Sequence, residues 1–126
     1  MRVALLVALG GAVGSVLRWL ATQWAIRLTP ASAFPFGTLA VNVVGSLAIG
    51  AIMTLATERA ALSPEMRMLL VTGVLGGFTT FSAYSYETLA LLKSGQASAA
   101  ALYAVASVAL GIGAAFVGRA LVLGRA

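Results

Sequence analysis

Four long apolar segments occupy most of this chain, and each is long enough to cross a membrane as a helix. They run approximately over residues 3–26, 37–56, 66–92 and 97–123. A helix needs about 20 mostly apolar residues to cross the hydrocarbon core of a bilayer. Charged residues make up 9% of the chain, whereas soluble domains contain roughly 25%. The sequence therefore predicts an all-α membrane protein with four transmembrane helices, folded as a single domain over residues 1–126.

The composition also excludes several kinds of chemistry. The chain contains no cysteine and no histidine, which excludes disulfides, thiol catalysis and metal sites built from these side chains. No nucleophile–base pair is visible, so we expect no enzymatic activity. A net charge of +5 would suggest nucleic-acid binding in a soluble protein. Here the basic residues lie mostly at the ends of apolar segments, where we expect them to anchor the chain in membrane lipid, with no nucleic-acid partner.

The positions of the basic residues bear on the orientation of the chain. Four spans place both termini on the same side of the membrane. That side holds Arg2, Arg59, Arg67, Arg119 and Arg125, whereas the other side holds only Arg27 and Lys93. Loops rich in Arg and Lys favour the cytoplasmic side. The basic residues alone therefore predict termini in the cytoplasm.

The third segment contains a stretch that a simple membrane helix does not need. Gly76 and Gly77 each weaken a helix by about 1 kcal/mol relative to alanine. Three hydroxyl residues follow them, namely Thr79, Thr80 and Ser82. Non-helical backbone at membrane depth persists only where protein buries it or a watery cavity meets it, so a break here indicates an ion or substrate site. The structural alternative is a glycine-rich helix contact whose hydroxyls bond to their own turn.

The ends of this third segment carry recognisable helix signals. Ser63-Pro64-Glu65 is typical of an N-cap, a first-turn proline and a first-turn acid. Lys93-Ser94-Gly95 is typical of a basic last turn followed by a C-terminal glycine.

Three polar side chains inside the spans are costly to bury without partners: Arg18, Asn42 and Glu87. Arg18 either extends to the membrane surface beside Trp19 and Trp24 or faces the protein interior. Asn42 either makes a hydrogen-bonded clasp between helices or donates to a permeating anion. For Glu87 we expect hydroxyl or arginine partners.

Aromatic and hydroxyl residues in the second half of the chain have two interpretations. Phe81 and Tyr84 are three residues apart and share a helix face. Their positive ring edges could hold an anion, or the rings could simply pack. Tyr103 and Ser107 share a face of the fourth segment. Their hydroxyls either line a pore or bond to their own helix.

Together these features resemble the Fluc family, also called CrcB, of small bacterial and archaeal fluoride channels. The resemblance covers nearly the whole chain. It rests on Gly11…Gly14…Arg18, on Gly37-Thr38-Leu-x-Val-Asn42-x-x-Gly45, and on Gly73-x-x-Gly-Gly-x-Thr-Thr-Phe-Ser82. It implies a multi-pass protein of the bacterial or archaeal plasma or inner membrane. It also implies a channel through which fluoride leaves the cytoplasm passively, which reduces fluoride toxicity.

The resemblance further implies an antiparallel, dual-topology homodimer with two fluoride pores and one central structural sodium ion that is not transported. The sodium ligands of the family, which are backbone carbonyls, fall on Gly76 and Thr79. Gly77 is expected to allow the close approach of the partner chain.

The resemblance assigns the pore residues one by one. The pore asparagine falls on Asn42, and the pair of pore phenylalanines falls on Phe81 and Tyr84, where tyrosine departs from the family. The remaining pore candidates are the hydroxyl residues Thr80, Ser82, Tyr103 and Ser107. Arg18, Thr38 and Glu87 are vestibule or structural candidates. Later positions of the polar track on the last helix appear as Ala109 and Gly113, which is a second departure.

Two other functional classes are alternatives to a channel. A small four-span, dual-topology multidrug exporter would place an acidic residue in the first helix, where this chain has Arg18 and no acid. A structural membrane subunit without transport activity is the third class. The polar residues of the second and third segments are more than such a subunit needs.

Overall fold

The computed structural model describes residues 1–124, which form helices joined by short connections. We number the helices α1 (Arg2–Leu28), α2 (Phe36–Thr57), α3 (residues 64–78), α4 (Phe81–Lys93) and α5 (Ala97–Leu123). Helices α3 and α4 together make the third span, Pro64–Lys93, so the prediction of four membrane-length helices is confirmed. Arg125, one of the basic residues counted above, lies outside the described residues.

Helix α3 is not a uniform α-helix. It begins as the short α-helix Pro64–Arg67, continues as the π-helix Met68–Leu75 and ends as the α-helical turn Gly76–Phe78. Its start agrees with the sequence, because the Ser63 hydroxyl accepts a hydrogen bond from the Met66 N–H at 3.2 Å. The π-helical part, a rare conformation in proteins, has no counterpart in the sequence-based prediction.

Glycines allow α1 to contact α3, and α2 to contact α5, at close range. A Cβ atom added to Gly10 would lie 3.0 Å from the Gly73 Cα atom, and one added to Gly14 would overlap the Val74 carbonyl. In the second pair, a Cβ atom on Gly50 would overlap the Ala115 carbonyl. Small residues therefore bring the backbones together, as is typical of helix pairs in membranes.

The third span breaks at Thr79 and Thr80, which confirms the broken third helix. Thr79 has ψ 159° and Thr80 has φ −153° and ψ 121°, so both residues are extended. The two preceding glycines remain helical. A Cβ atom on Gly77 would overlap the Gly11 carbonyl of the same chain. Helix α1 therefore fills the space in the Cβ direction of Gly77, whereas the approach of a partner chain at this glycine stays a prediction.

Large apolar side chains cover the outside of the spans. Leu9 is 64% exposed, Val105 67% and Phe116 67%. Exposing such an apolar surface to water costs free energy, whereas exposing it to lipid tails does not. With four helices of membrane length, the chain is a multi-pass membrane protein.

Candidate functional site

Asn42 of α2 holds the broken backbone of the third span at two points. Its Nδ2 atom donates to the Thr80 carbonyl at 3.0 Å, and its Oδ1 atom accepts from the Thr80 N–H at 2.9 Å. The clasp that was one alternative for Asn42 is therefore confirmed. One of the two Nδ2 hydrogens takes part in this pairing, which leaves the second one for another acceptor.

The break removes the usual helix donors from several backbone carbonyls, among them those of Gly76 and Thr79. In a continuous helix, the Gly76 carbonyl would accept from the Thr80 N–H and the Thr79 carbonyl from the Ala83 N–H. The Thr80 N–H donates to Asn42 instead, and the Ala83 N–H donates to the Thr80 hydroxyl at 3.2 Å. Within residues 1–124 no group of three or more acidic, His or Cys side chains could hold a metal ion. The Gly76 and Thr79 carbonyls are thus neutral oxygens at the break that have lost their helix donors.

Arg18 lies beside the same break, on the side of α1. Its Nε atom donates to the Gly77 carbonyl at 3.1 Å, and the side chain is half-buried. A cation at the C-terminal end of a helix interacts favourably with the helix dipole. The interior-facing alternative for Arg18 is therefore confirmed, whereas Trp19 and Trp24 remain 60% and 66% exposed.

Glu87 connects three helices through hydroxyl groups, as expected. Its Oε1 atom accepts from the Thr38 hydroxyl and its Oε2 atom accepts from the Tyr103 hydroxyl, both at 2.7 Å. Thr38 lies on α2, Tyr103 lies on α5, and both are buried. Glu87 also lines a cavity of about 320 Å³ between α1, α2 and α4, together with Arg18. Its carboxylate thus has two hydrogen-bonded partners and a polar cavity beside it.

Four aromatic rings form a continuous row from the break towards the loop that follows α1. The Phe81 and Tyr84 ring centroids are 5.4 Å apart, those of Tyr84 and Tyr103 are 5.2 Å apart, and those of Tyr103 and Phe34 are 5.5 Å apart. The Phe81–Tyr84 pair was predicted from its spacing. Phe34 was not, because an aromatic residue in a connecting loop carries no periodic signal. The Tyr84 hydroxyl makes no hydrogen bond within the described residues. The backbone carbonyl of Tyr84 accepts a hydrogen bond from the Thr88 hydroxyl.

A cavity of about 370 Å³ at the break is lined by several residues that were predicted to belong to the site. Helix α2 contributes Asn42, Gly45, Ser46 and Ile49 to its lining, and the third span contributes Val71, Leu75, Gly76, Thr79, Thr80 and Phe81. Phe81 is 79% exposed beside it. Ser82 does not line this cavity, and its hydroxyl lies 3.3 Å from that of Thr80. The lining consists of neutral polar groups and apolar side chains without a charged residue.

The polar track on α5 takes a different course from the predicted one. Ser107 has a buried hydroxyl oxygen that makes no hydrogen bond within the described residues, so the back-bonding alternative is wrong for Ser107. Ala109 and Gly113 are exposed, and an added Cβ on Gly113 would meet nothing within 4 Å. Residues four apart share a helix face, so the face that carries Tyr103 and Ser107 continues to Gly111, which faces Ser46.

Two arginines on the terminal side of the membrane are already paired. Arg119 forms an ion pair with Glu58 at 3.0 Å. Arg59 donates to the Val122 carbonyl at 3.1 Å, at the end of α5. The Glu58 carboxylate offsets the charge of Arg119, whereas the carbonyl leaves the charge of Arg59 in place.

Comparison with known proteins places this arrangement in a family. The family described as CrcB-like protein, Camphor Resistance (CrcB), matches residues 5–119. A protein of Rhizobium etli named fluoride-specific ion channel FluC is 54% identical over 94% of this chain and 94% of its own length. Proteins with the same name from Agrobacterium fabrum and Roseiflexus are 51% and 52% identical, over 92% and 89% of this chain and 92% and 90% of their own. The chain therefore belongs to the CrcB family.

Proposed function

We propose that this protein is a fluoride-specific channel that lets fluoride leave the cytoplasm passively. The observation that carries the proposal is the cavity at the broken third span, whose polar lining is neutral and includes the Asn42 amide and the Thr80 hydroxyl. Relatives that match more than nine tenths of the chain are named fluoride-specific ion channels. Channels of this family are not enzymes, and the chain is proposed to act as one of them.

Neutral donors suit an anion that must enter and leave quickly. Fluoride is small and strongly hydrated, so a pathway through protein has to replace the lost water with hydrogen-bond donors. The free Nδ2 hydrogen of Asn42 and the positive ring edges of Phe81 and Tyr84 can do this without a full charge. A buried cation at each step would bind the ion too tightly to conduct it. Arg18 is the nearest cation, and its Nε atom is engaged by the Gly77 carbonyl.

The proposal includes an antiparallel homodimer with two pores. Four helices are too few to enclose a long pathway, and the cavity at the break opens at the surface of the chain. Phe81 and Gly76 are exposed there, which suits a surface that a second copy covers. Insertion in both orientations requires a weak charge bias. Arg67 and Arg119 lie within helices, where basic residues count less toward orientation than those in loops.

A structural sodium ion between the two copies is the second part of the proposal. The carbonyls of Gly76 and Thr79 have lost their helix donors, and two copies would supply four such oxygens. Neutral oxygens suit a weakly held monovalent cation, whereas a divalent ion would normally be bound by carboxylates. The ion would fix the interface and would not be transported. The partial negative charges of the carbonyl oxygens would hold it there.

One experiment tests the function. Purified protein is reconstituted into liposomes loaded with fluoride or with chloride, and efflux is followed with an ion-selective electrode. Rapid fluoride efflux with no chloride efflux above that of empty liposomes is the expected result. Absence of fluoride efflux from correctly assembled protein would contradict the proposal and favour a structural subunit. The exporter alternative has no support in α1, whose only charged residues are Arg2, Arg18 and Arg27.

A further inference from the structure

Many hydroxyl groups on the membrane helices donate to a carbonyl of their own helix. The Thr54 hydroxyl donates to the Gly50 carbonyl at 2.7 Å, and the Ser85 hydroxyl donates to the Phe81 carbonyl at 2.9 Å. Ser46 of α2 differs from them. The side-chain hydrogen bonds of α2 are made by Thr38, Asn42, Thr54 and Thr57, and Ser46 makes none within residues 1–124.

Ser46 lies between the cavity at the break and helix α5. Ser46 is half-buried, lies one helical turn after Asn42 and lines the same cavity at the break. On the other side it faces α5, where a Cβ atom added to Gly111 would lie 3.5 Å from its Oγ atom. Ser107, one turn before Gly111, has a buried hydroxyl that makes no hydrogen bond within the described residues. Ser46 on α2 and Ser107 on the facing helix α5 thus each carry a hydroxyl that makes no hydrogen bond within the described residues. Ser46 is the one that follows Asn42 along α2.

We propose that Ser46 is a fluoride-coordinating residue, and that α2 supplies through it the hydroxyl that α5 lacks at Gly111. This inference rests on the proposed fluoride channel function. A hydroxyl rotates freely and can donate to an anion without first breaking a bond within the protein. Ser46 lies about 6 Å beyond Asn42 along the helix axis. It therefore offers the next donor to an ion that leaves the Asn42 amide.

The first variant removes the hydroxyl. We expect Ser46→Ala to assemble normally and to lower fluoride efflux by roughly tenfold, which corresponds to the loss of one hydrogen bond to the ion. The matched control is Thr54→Ala, which removes a hydroxyl from the same helix two turns later, where it bonds only to its own backbone. Efflux of the control should remain within about twofold of the wild type.

The second variant returns the hydroxyl from the opposite helix. The 3.5 Å separation at Gly111 is an ordinary contact, so a serine fits there. We expect Ser46→Ala with Gly111→Ser to recover most of the fluoride efflux, and Ser46→Ala with Gly111→Ala to recover none. A purely structural role of Ser46 would not distinguish these two double variants, because they fill nearly the same space.

The outcomes separate this inference from the function on which it rests. If wild-type protein releases fluoride and Ser46→Ala releases it equally fast, Ser46 does not coordinate the ion and the channel function stands. Equal behaviour of the two double variants, whether both recover or neither does, also overturns the role of the hydroxyl. If the wild type itself releases no fluoride, the channel function fails first and this inference fails with it.

Discussion

The Nε atom of Arg18 donates a hydrogen bond to the Gly77 carbonyl oxygen across 3.1 Å, although the two residues are 59 positions apart in the chain. The Gly77 carbonyl would accept from Phe81 if the helix continued, and the break separates these two residues. Arg18 therefore replaces a backbone donor and ties α1 to the end of α3. It stabilises the interrupted helix without entering the cavity at the break.

This relationship predicts a loss of stability in Arg18→Ala. A hydrogen bond from a charged donor contributes about 1.5–3 kcal/mol, and its loss also leaves a carbonyl unpaired at membrane depth. The unfolding temperature in detergent should fall clearly for Arg18→Ala. Arg27→Ala, which removes an exposed charge from the same helix, is the control and should change it little. Equal unfolding temperatures for the two variants would contradict the assigned role.

Asn42→Asp should abolish fluoride efflux. The carboxylate would accept from the Thr80 N–H, as Asn42 does, but it would oppose the Thr80 carbonyl and would repel a fluoride ion. Liposome efflux is measured together with the elution volume of the protein, so that assembly is checked separately. Near-normal efflux from an assembled Asn42→Asp protein would show that this side chain does not face the ion.

Tyr84→Phe tests the departure from the family's pair of phenylalanines. The tyrosine hydroxyl makes no side-chain hydrogen bond within the described residues, and the ring packs against Phe81 and Tyr103. Removing the hydroxyl keeps the ring edge, so efflux should stay near the wild-type rate. Tyr84→Ala removes the ring and should lower efflux strongly. A complete loss in Tyr84→Phe would instead assign the hydroxyl a direct part in conduction.

Sodium removal should stop fluoride efflux slowly. If the Gly76 and Thr79 carbonyls hold the ion at a two-fold axis, exchange of sodium for a large organic cation on both sides would leave these oxygens unpaired. Prolonged incubation is needed because two copies would enclose the proposed site. Efflux that persists undiminished after such incubation would show that the proposed sodium site is not required.

Orientation can be tested by labelling, since the chain has no native cysteine. Ala31→Cys and Ala61→Cys place one thiol in an exposed loop on each side of the membrane. Insertion in both orientations predicts partial labelling of each variant by an impermeant reagent added to intact cells. Labelling of Ala31→Cys alone would support the orientation that the basic residues predict, and labelling of either variant alone would exclude dual topology.

The sequence predicts well the features that depend on near neighbours. The helix start at Ser63 and the left-handed Gly95, with φ 77°, follow from local backbone requirements. The partner of Asn42 lies 38 residues away and that of Arg18 lies 59 residues away. Such partners depend on how the helices pair, which no local pattern encodes.

Features that the sequence analysis did not predict also depend on how the helices pack against one another. Gly77 belongs to the contact with α1 because α1 and α3 approach through glycines on both sides. Ala109 and Gly113 were placed on the polar track, whereas the helical repeat places Gly111 there. Ser46 was not singled out, because a serine in an apolar helix is usually bonded to its own turn and only the structure shows that this one is not.

The Asn42–Thr80 pairing has a consequence for how sequences of this kind can diverge. The same amide closes the break in the third span and is proposed to meet the ion. Selection for faster permeation and selection for a folded chain therefore act on one side chain. A growth screen in fluoride would score misfolding and blocked permeation alike at this position. Ser46 makes no hydrogen bond within the described residues, so substitutions there can change permeation without the loss of such a bond.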